Sequence, residues 1–167
     1  RDAPFLTINC ASLPADLLES ELFGYTKGSF TGAYTSKEGL IEKANRGTLF
    51  LDEIGEMPIS LQAKLLRFLE DKKIRPIGAS SEMDVDVRII AASNKDLRDE
   101  SIFRKDLFFR ISTFQINMPP LRERTEDIPQ LVDFFVKTYS LKFGKKISKV
   151  DDVFMEELLT RNYTGNI

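Results

Sequence analysis

"RGTLFLDEIGEM", Arg46–Met57, is the stretch on which the fold turns. Thr48 to Leu51 is β-branched and apolar and reads as a strand. It ends in two adjacent acids, Asp52 and Glu53. In a parallel α/β sheet, ligands gather at the carboxyl ends of the strands. A carboxylate at such a tip can hold Mg²⁺ through its waters, and the next one can polarise an attacking water. Out of context, an Asp-Glu pair after apolar residues is more often a turn cap and a solvated loop acid. The flanking sequence has to decide.

Upstream, "PFLTINC" (Pro4–Cys10) alternates and reads as a strand. "SLPADLLESELFG" follows as a helix, with Ser12 placed to cap it, Pro14 in its first turn and Gly24 at its end. Gly24 to Glu38 reads as a loop, and Leu40–Asn45 as a short helix. Downstream, Leu61, Leu65, Phe68 and Leu69 space an amphipathic helix. "KIRPIG" and "DVDVRIIAAS" read as strands, the second ending near Ser93-Asn94. "FRKDLFFRI" is a short helical stretch, and "STFQINM" reads as a further strand.

This alternation predicts a parallel α/β sheet covered on both faces. "PPLRER" breaks the rhythm, and beyond it only helical stripes remain: Ile128, Leu131, Val132, Phe135, Val136 and Tyr139, then Val150, Val153, Phe154 and Leu158. A boundary near Pro119-Pro120 is expected, with an α/β core over 1–120 and a small helical lobe over 121–167.

Composition narrows the chemistry. The chain has 167 residues, enough for one domain with a small appended lobe, and a formal net charge of −2, so no overall basic field draws it to nucleic acid. With no histidine, Ser-His-Asp and Cys-His catalysis are excluded, along with most zinc sites. Cys10 is the single cysteine, which excludes an internal disulfide and makes a cytoplasmic setting the expectation. No apolar run approaches the ~18 residues of a membrane span. The opening "RDAPFLTINC" reads as the middle of a longer chain.

A second anomaly lies in "KGSFTGA", Lys27–Ala33. Phe30 stands between Gly28 and Gly32, which free the backbone and offer the ring nothing to pack on. A lone loop Phe most often folds back into the core; held outward, it is a partner contact.

Together, "ELFGYTKGSFTGAYTSKEGLIEKANRGTLFLDEIGEM" resembles the central AAA+ ATPase domain of bacterial sigma-54-dependent transcription activators of the nitrogen-regulatory-protein-C type. Their hallmark loop is G-A-F-T-G-A; here Gly28-Ser29-Phe30-Thr31-Gly32-Ala33 stands in its place, with Ser29 for the usual Ala. The resemblance implies an AAA+ P-loop NTPase-type sheet followed by a helical lid. It implies a cytoplasmic, Mg²⁺-dependent ATPase that remodels the sigma-54 RNA polymerase closed complex into an open one, often within a two-component response regulator.

The family pattern carries over residue by residue. The loop Gly28–Ala33 would contact sigma-54. Asp52 and Glu53 match the Walker B pair, Asp52 on Mg²⁺ and Glu53 activating water. Asn9 matches an asparagine that pairs with this glutamate and holds it inactive. Ser93 or Asn94 matches sensor I, with Ser93 where the family more often has Thr. Arg104 and Arg110 match the arginine-finger segment. Six residues apart, they would not share one face of a continuous helix, so at least one of them is expected at a bend or an interface.

The resemblance also implies a hexameric or heptameric ring with ATP at each subunit junction. DNA would be bound by a separate helix-turn-helix domain rather than by this chain. The family's P-loop, G-x-x-x-x-G-K followed by Ser or Thr, occurs nowhere in the sequence, and its expected place is just before Arg1. "NYTGNI" resembles the family's "WPGNIRE", with Tyr163-Thr164 for Trp-Pro and no sensor II arginine. The 167 residues alone are therefore expected to bind ATP poorly and not to hydrolyse it. An alternative reading is a non-catalytic sigma-54-contacting module; an unrelated Mg²⁺-dependent phosphohydrolase is disfavoured, since no further acid cluster accompanies the pair.

Overall fold

A computed structural model describes residues 3–147 and 149–165. The chain divides into two compact units, Arg1–Gln115 and Ile116–Ile167. The first is built on three parallel strands in the order β1-β4-β7: β1 Phe5–Asn9, β4 Thr48–Asp52 and β7 Arg88–Ala91. β4 is central, with Asn9 opposite Asp52 on one side and Leu51 opposite Ala91 on the other.

The pleat sorts the side chains. Leu6, Ile8, Leu49, Leu51, Ile89 and Ala91 belong to the core, as period-two alternation and this register require. Helix α1 (Ala15–Phe23) adds Leu18, Leu22 and Phe23, and α3 (Ile59–Asp71) adds Leu61, Leu65, Phe68 and Leu69. The alternate residues are more open: Phe5 and Ile90 are exposed. The expected burial of both faces is thus corrected. The apolar helix residues pack with Leu49 and Leu51, and none of the described helices fully covers the other side.

Between α1 and β4 the chain forms a two-residue antiparallel ribbon, β2 (Gly24–Tyr25) with β3 (Lys37–Glu38), and a short helix α2 (Leu40–Lys43). A second small ribbon pairs β5 (Lys73–Ile74) with β6 (Met83–Asp84). "KIRPIG" therefore supplies no strand to the main sheet. Helix α4 spans Lys105–Ile111.

Two local expectations are corrected. Ser12 does not cap α1: the N-cap is Pro14, with no side-chain cap bond. The Ser12 hydroxyl donates instead to the Asn9 carbonyl at 2.7 Å. "STFQINM" forms no strand, because a strand needs a ladder partner and none of the described residues supplies one. Its alternating apolar residues Phe114, Ile116 and Met118 are exposed.

The second unit carries α5 (Ile128–Phe143) and α6 (Asp152–Thr160). Pro129 starts α5 and Gly144, left-handed, ends it. The Asp151 carboxylate caps α6 by accepting from the Val153 N–H. Phe135, Tyr139 and Phe143 stack as an i, i+4 ladder along α5. The end of the "NYTGNI" motif, Asn166-Ile167, lies outside the described residues.

Candidate functional site

Asp52 closes β4, and Glu53 follows with φ 51° and ψ 46°. That left-handed conformation is uncommon for a residue with a Cβ. It turns the chain out of the strand into a 3₁₀ turn over Ile54–Glu56, so the two adjacent carboxylates diverge. The Asp52 carboxylate accepts from the Glu53 N–H at 3.0 Å and from Asn9 Nδ2 at 3.2 Å. Asn9 ends the neighbouring strand, directly opposite Asp52 in register. Glu53 Oε1 accepts from Asn94 Nδ2 at 3.2 Å. Asn94 lies just beyond the other neighbour, β7. Three parallel strands thus deliver Asn9, Asp52, Glu53 and Asn94 to one sheet edge.

Asn9 does not pair with Glu53 as the family pattern implies. Its amide goes to Asp52, while its carbonyl oxygen accepts from the Ala11 N–H at 2.8 Å. The partner of Glu53 is Asn94. Of the two sensor candidates, Ser93 turns inward on its own loop, its Oγ accepting from the Lys95 N–H at 3.1 Å.

Chemically, the edge has what water activation and cation binding ask for. Glu53 Oε2 is shielded from solvent and has no hydrogen-bond partner. A buried carboxylate oxygen without a donor is an acceptor in search of one, and a water O–H fits that need. Asp52 keeps unshared lone pairs on a carboxylate with four acceptor positions, which suits one protein ligand to a hard cation that keeps its waters. Cys10, directly after Asn9, is no nucleophile. Burial, and next the Asp52 charge, push its thiol up to about 11.

The arginine candidates lie on α4. Arg104 is the N-cap, extended at φ −69° and ψ 130°, so the expected bend falls there. Its guanidinium grips Asp106 through two bonds, at 3.0 and 2.6 Å, and these hold the Asp106 carboxyl below its ordinary range. Arg110 Nη2 donates to the Leu69 carbonyl at 3.1 Å, closing the end of α3.

Sequence reasoning missed Gln62. It is fully buried. Its amide donates to the Met57 and Ile102 carbonyls at 2.8 and 2.9 Å, and its oxygen accepts from the Arg104 N–H at 2.8 Å. The signal was a polar residue inside the apolar arc of α3, between Leu61 and Leu65.

The Gly28–Ala33 loop closes the β2–β3 ribbon. Gly28 (φ 83°) and Gly32 (φ 102°) hold conformations that L side chains resist, and the Gly28 N–H donates to the Ala33 carbonyl at 2.8 Å. The Phe30 ring is 46% exposed and meets Tyr25 edge-on with centroids 5.0 Å apart. It neither enters the core nor stands free. The loop base is tied to the Pro76–Ala79 turn, where the Thr26 N–H donates to the Ile77 carbonyl and the Ile77 N–H to the Gly24 carbonyl.

The family model described as the sigma-54 interaction domain matches residues 1–117. The chain belongs to that family. The AAA+ ATPase lid domain model matches residues 122–167, so the helical unit is the lid that follows an AAA+ core. Regulatory protein AtoC of Escherichia coli (strain K12) is 50% identical over 98% of this chain, which covers 36% of AtoC. The transcriptional regulatory protein GlrR of the same strain is 45% identical over 98% of the chain, which covers 38% of GlrR. The crystal structure of NtrX from Brucella abortus in complex with ATP superposes with a TM-score of 0.87 at 36% identity. That match takes in 99% of this chain and 36% of NtrX. The sigma-54 interaction domain chain thus spans little more than a third of each of these relatives. Among the described residues, no helix is long and apolar enough to cross a membrane.

Proposed function

We propose that this domain works within an ATP-driven activator that remodels sigma-54 RNA polymerase. The observation that carries the reading is the convergence of Asp52, Glu53 and Asn94 at the end of the central strand, with Glu53 Oε2 left unpartnered. In this reading Asp52 holds Mg²⁺, whose charge, when bound, neutralises charge on the transferring phosphate. Glu53 Oε2 accepts a proton from the attacking water, and Asn94 keeps the other carboxylate oxygen fixed. Asn9 sets the rotamer of Asp52. Arg104 and Arg110 are the finger candidates, supplied across subunit junctions of a hexameric or heptameric ring; Arg104 would exchange Asp106 for phosphate oxygens. Positioning and charge supply most of the acceleration in such a transfer.

The loop Gly28–Ala33 is the polymerase contact. The β2–β3 ribbon presents Phe30 half-exposed, with one side of its ring against Tyr25 edge-on. The division of labour in this reading is a core over 1–120 and a lid over 121–167; the family-model matches over 1–117 and 122–167 support it.

The test uses the intact activator. Glu53→Gln should abolish ATP turnover, by 10² or more, while ATP still binds. Phe30→Ala should abolish capture of sigma-54 in the presence of a transition-state analogue and leave nucleotide binding unchanged. Turnover that survives Glu53→Gln refutes the catalytic half of the reading. Capture that survives Phe30→Ala refutes the loop assignment.

A further inference from the structure

Glu53 is followed by a segment that meets the loop after β7 at three successive residues, two of them through bonds. The Ile54 N–H donates to the Ala92 carbonyl at 2.9 Å. Gly55 lies so close to that loop that a Cβ would sit 2.7 Å from Ser93 Oγ and 3.2 Å from Lys95 Cβ. Glu56 Oε2 meets Lys95 Nζ at 2.8 Å. Asn94, the partner of Glu53, is inside the span thus fastened.

We propose that the Glu56–Lys95 ion pair is a positioning clasp: it sets the Glu53–Asn94 hydrogen bond and so the aim of Glu53. The proposal rests on the reading of Glu53 as the water-activating base. Glu53 itself has one side-chain bond, at 3.2 Å, and a left-handed backbone. Neither fixes a carboxylate firmly, since the αL backbone has a more favourable alternative and the bond is long. The rigid reference is the ladder of β4 with β7, which ends at Leu51–Ala91. Past the Ile54–Ala92 bond that continues it, the two loops can open, since Gly55 lacks any side chain to hold them. The clasp closes that opening two residues beyond the Ile54–Ala92 bond. An ion pair whose side chains are more than a third exposed adds little to overall stability. Its consequence is orientational, and a base displaced by a fraction of an ångström loses much of its effect.

Three variants of the intact activator test this: Glu56→Gln, Lys95→Met, and the exchanged pair Glu56→Lys with Lys95→Glu. Each single change should lower kcat for ATP about tenfold, with KM and the thermal midpoint unchanged, and the exchange should restore most of kcat. Crystal structures of the nucleotide-free variants should show the Glu53–Asn94 bond lost in the single changes and present in the exchange. Unchanged kcat in the singles, failure of the exchange to restore it, or a parallel fall in thermal midpoint overturns the clasp. Glu53→Gln serves as the control. If it abolishes turnover while the clasp variants are silent, only the clasp fails. If it leaves turnover intact, the base assignment fails, and the crystal geometry alone then decides whether the pair governs the Glu53–Asn94 bond.

Discussion

Gln62 shows how much one buried side chain can hold in place. It satisfies the Met57 carbonyl on one side and, on the segment leading into α4, the Ile102 carbonyl and the N–H of Arg104, the bent N-cap of that helix. Gln62→Leu keeps the volume near constant but leaves those three buried and half-buried groups without their partner. Each unsatisfied group costs about 1–3 kcal/mol, less what relaxation recovers, so a total loss of about 3 kcal/mol is expected in urea unfolding. A loss below 1 kcal/mol would mean that water reaches these groups. The same scale shows what was legible in the sequence. Asp52 and Glu53 were readable because an apolar strand fixes where its last residue falls. Asn9 was named only through the family resemblance, and for Glu53 rather than Asp52, while Ser93 and Asn94 stayed open; the residues did not say which side chain bonds which acid. That choice depends on the left-handed turn at Glu53, which swings its carboxylate towards β7 and leaves Asp52 facing β1. No residue type at position 53 announces such a turn.

Among the elements, the β2–β3 ribbon carries the partner-loop candidate and depends on one glycine. Gly24 has φ 75° and ψ 179°, a region open essentially to glycine alone. A Cβ there would lie 2.5 Å from the Lys37 carbonyl oxygen and 2.6 Å from the Gly39 N, both backbone atoms that cannot step aside. Gly24→Ala is therefore expected to destabilise by about 2–3 kcal/mol and to make the 24–38 segment protease-sensitive while β1, β4 and β7 stay protected from hydrogen exchange. Equal loss of protection in the main sheet would show that the ribbon is part of the central cooperative unit. Elements with a strong period, such as α3 and α5, were legible because a helix declares its own face. The two-residue ribbons were not, since two residues are too few to show an alternation: Lys73-Ile74 meets Met83-Asp84 rather than the main sheet. "STFQINM" alternates as a strand should, yet alternation supplies a face and not a ladder.

At the scale of the whole molecule, the division between the two units falls within an open stretch, 113–118. Residues 113–118 carry no helix or strand, and all but Thr113 are apolar (Phe114, Ile116, Met118) or amide (Gln115, Asn117). Phe114 is 94% exposed, the most exposed of the large apolar residues described. Proteases cut where several consecutive residues can leave the surface without breaking hydrogen bonds. Brief chymotrypsin treatment of the 167-residue chain should therefore cleave after Phe114, and after Tyr34 in the β2–β3 loop, before it touches Phe50 or Phe68, which sit in β4 and α3. Phe114→Ser should remove the first cut and leave the second. Protection of Phe114 together with cleavage at Tyr34 would mean that this segment is covered, by a second copy or by the lid, and the sedimentation coefficient of the uncut sample would separate those two cases.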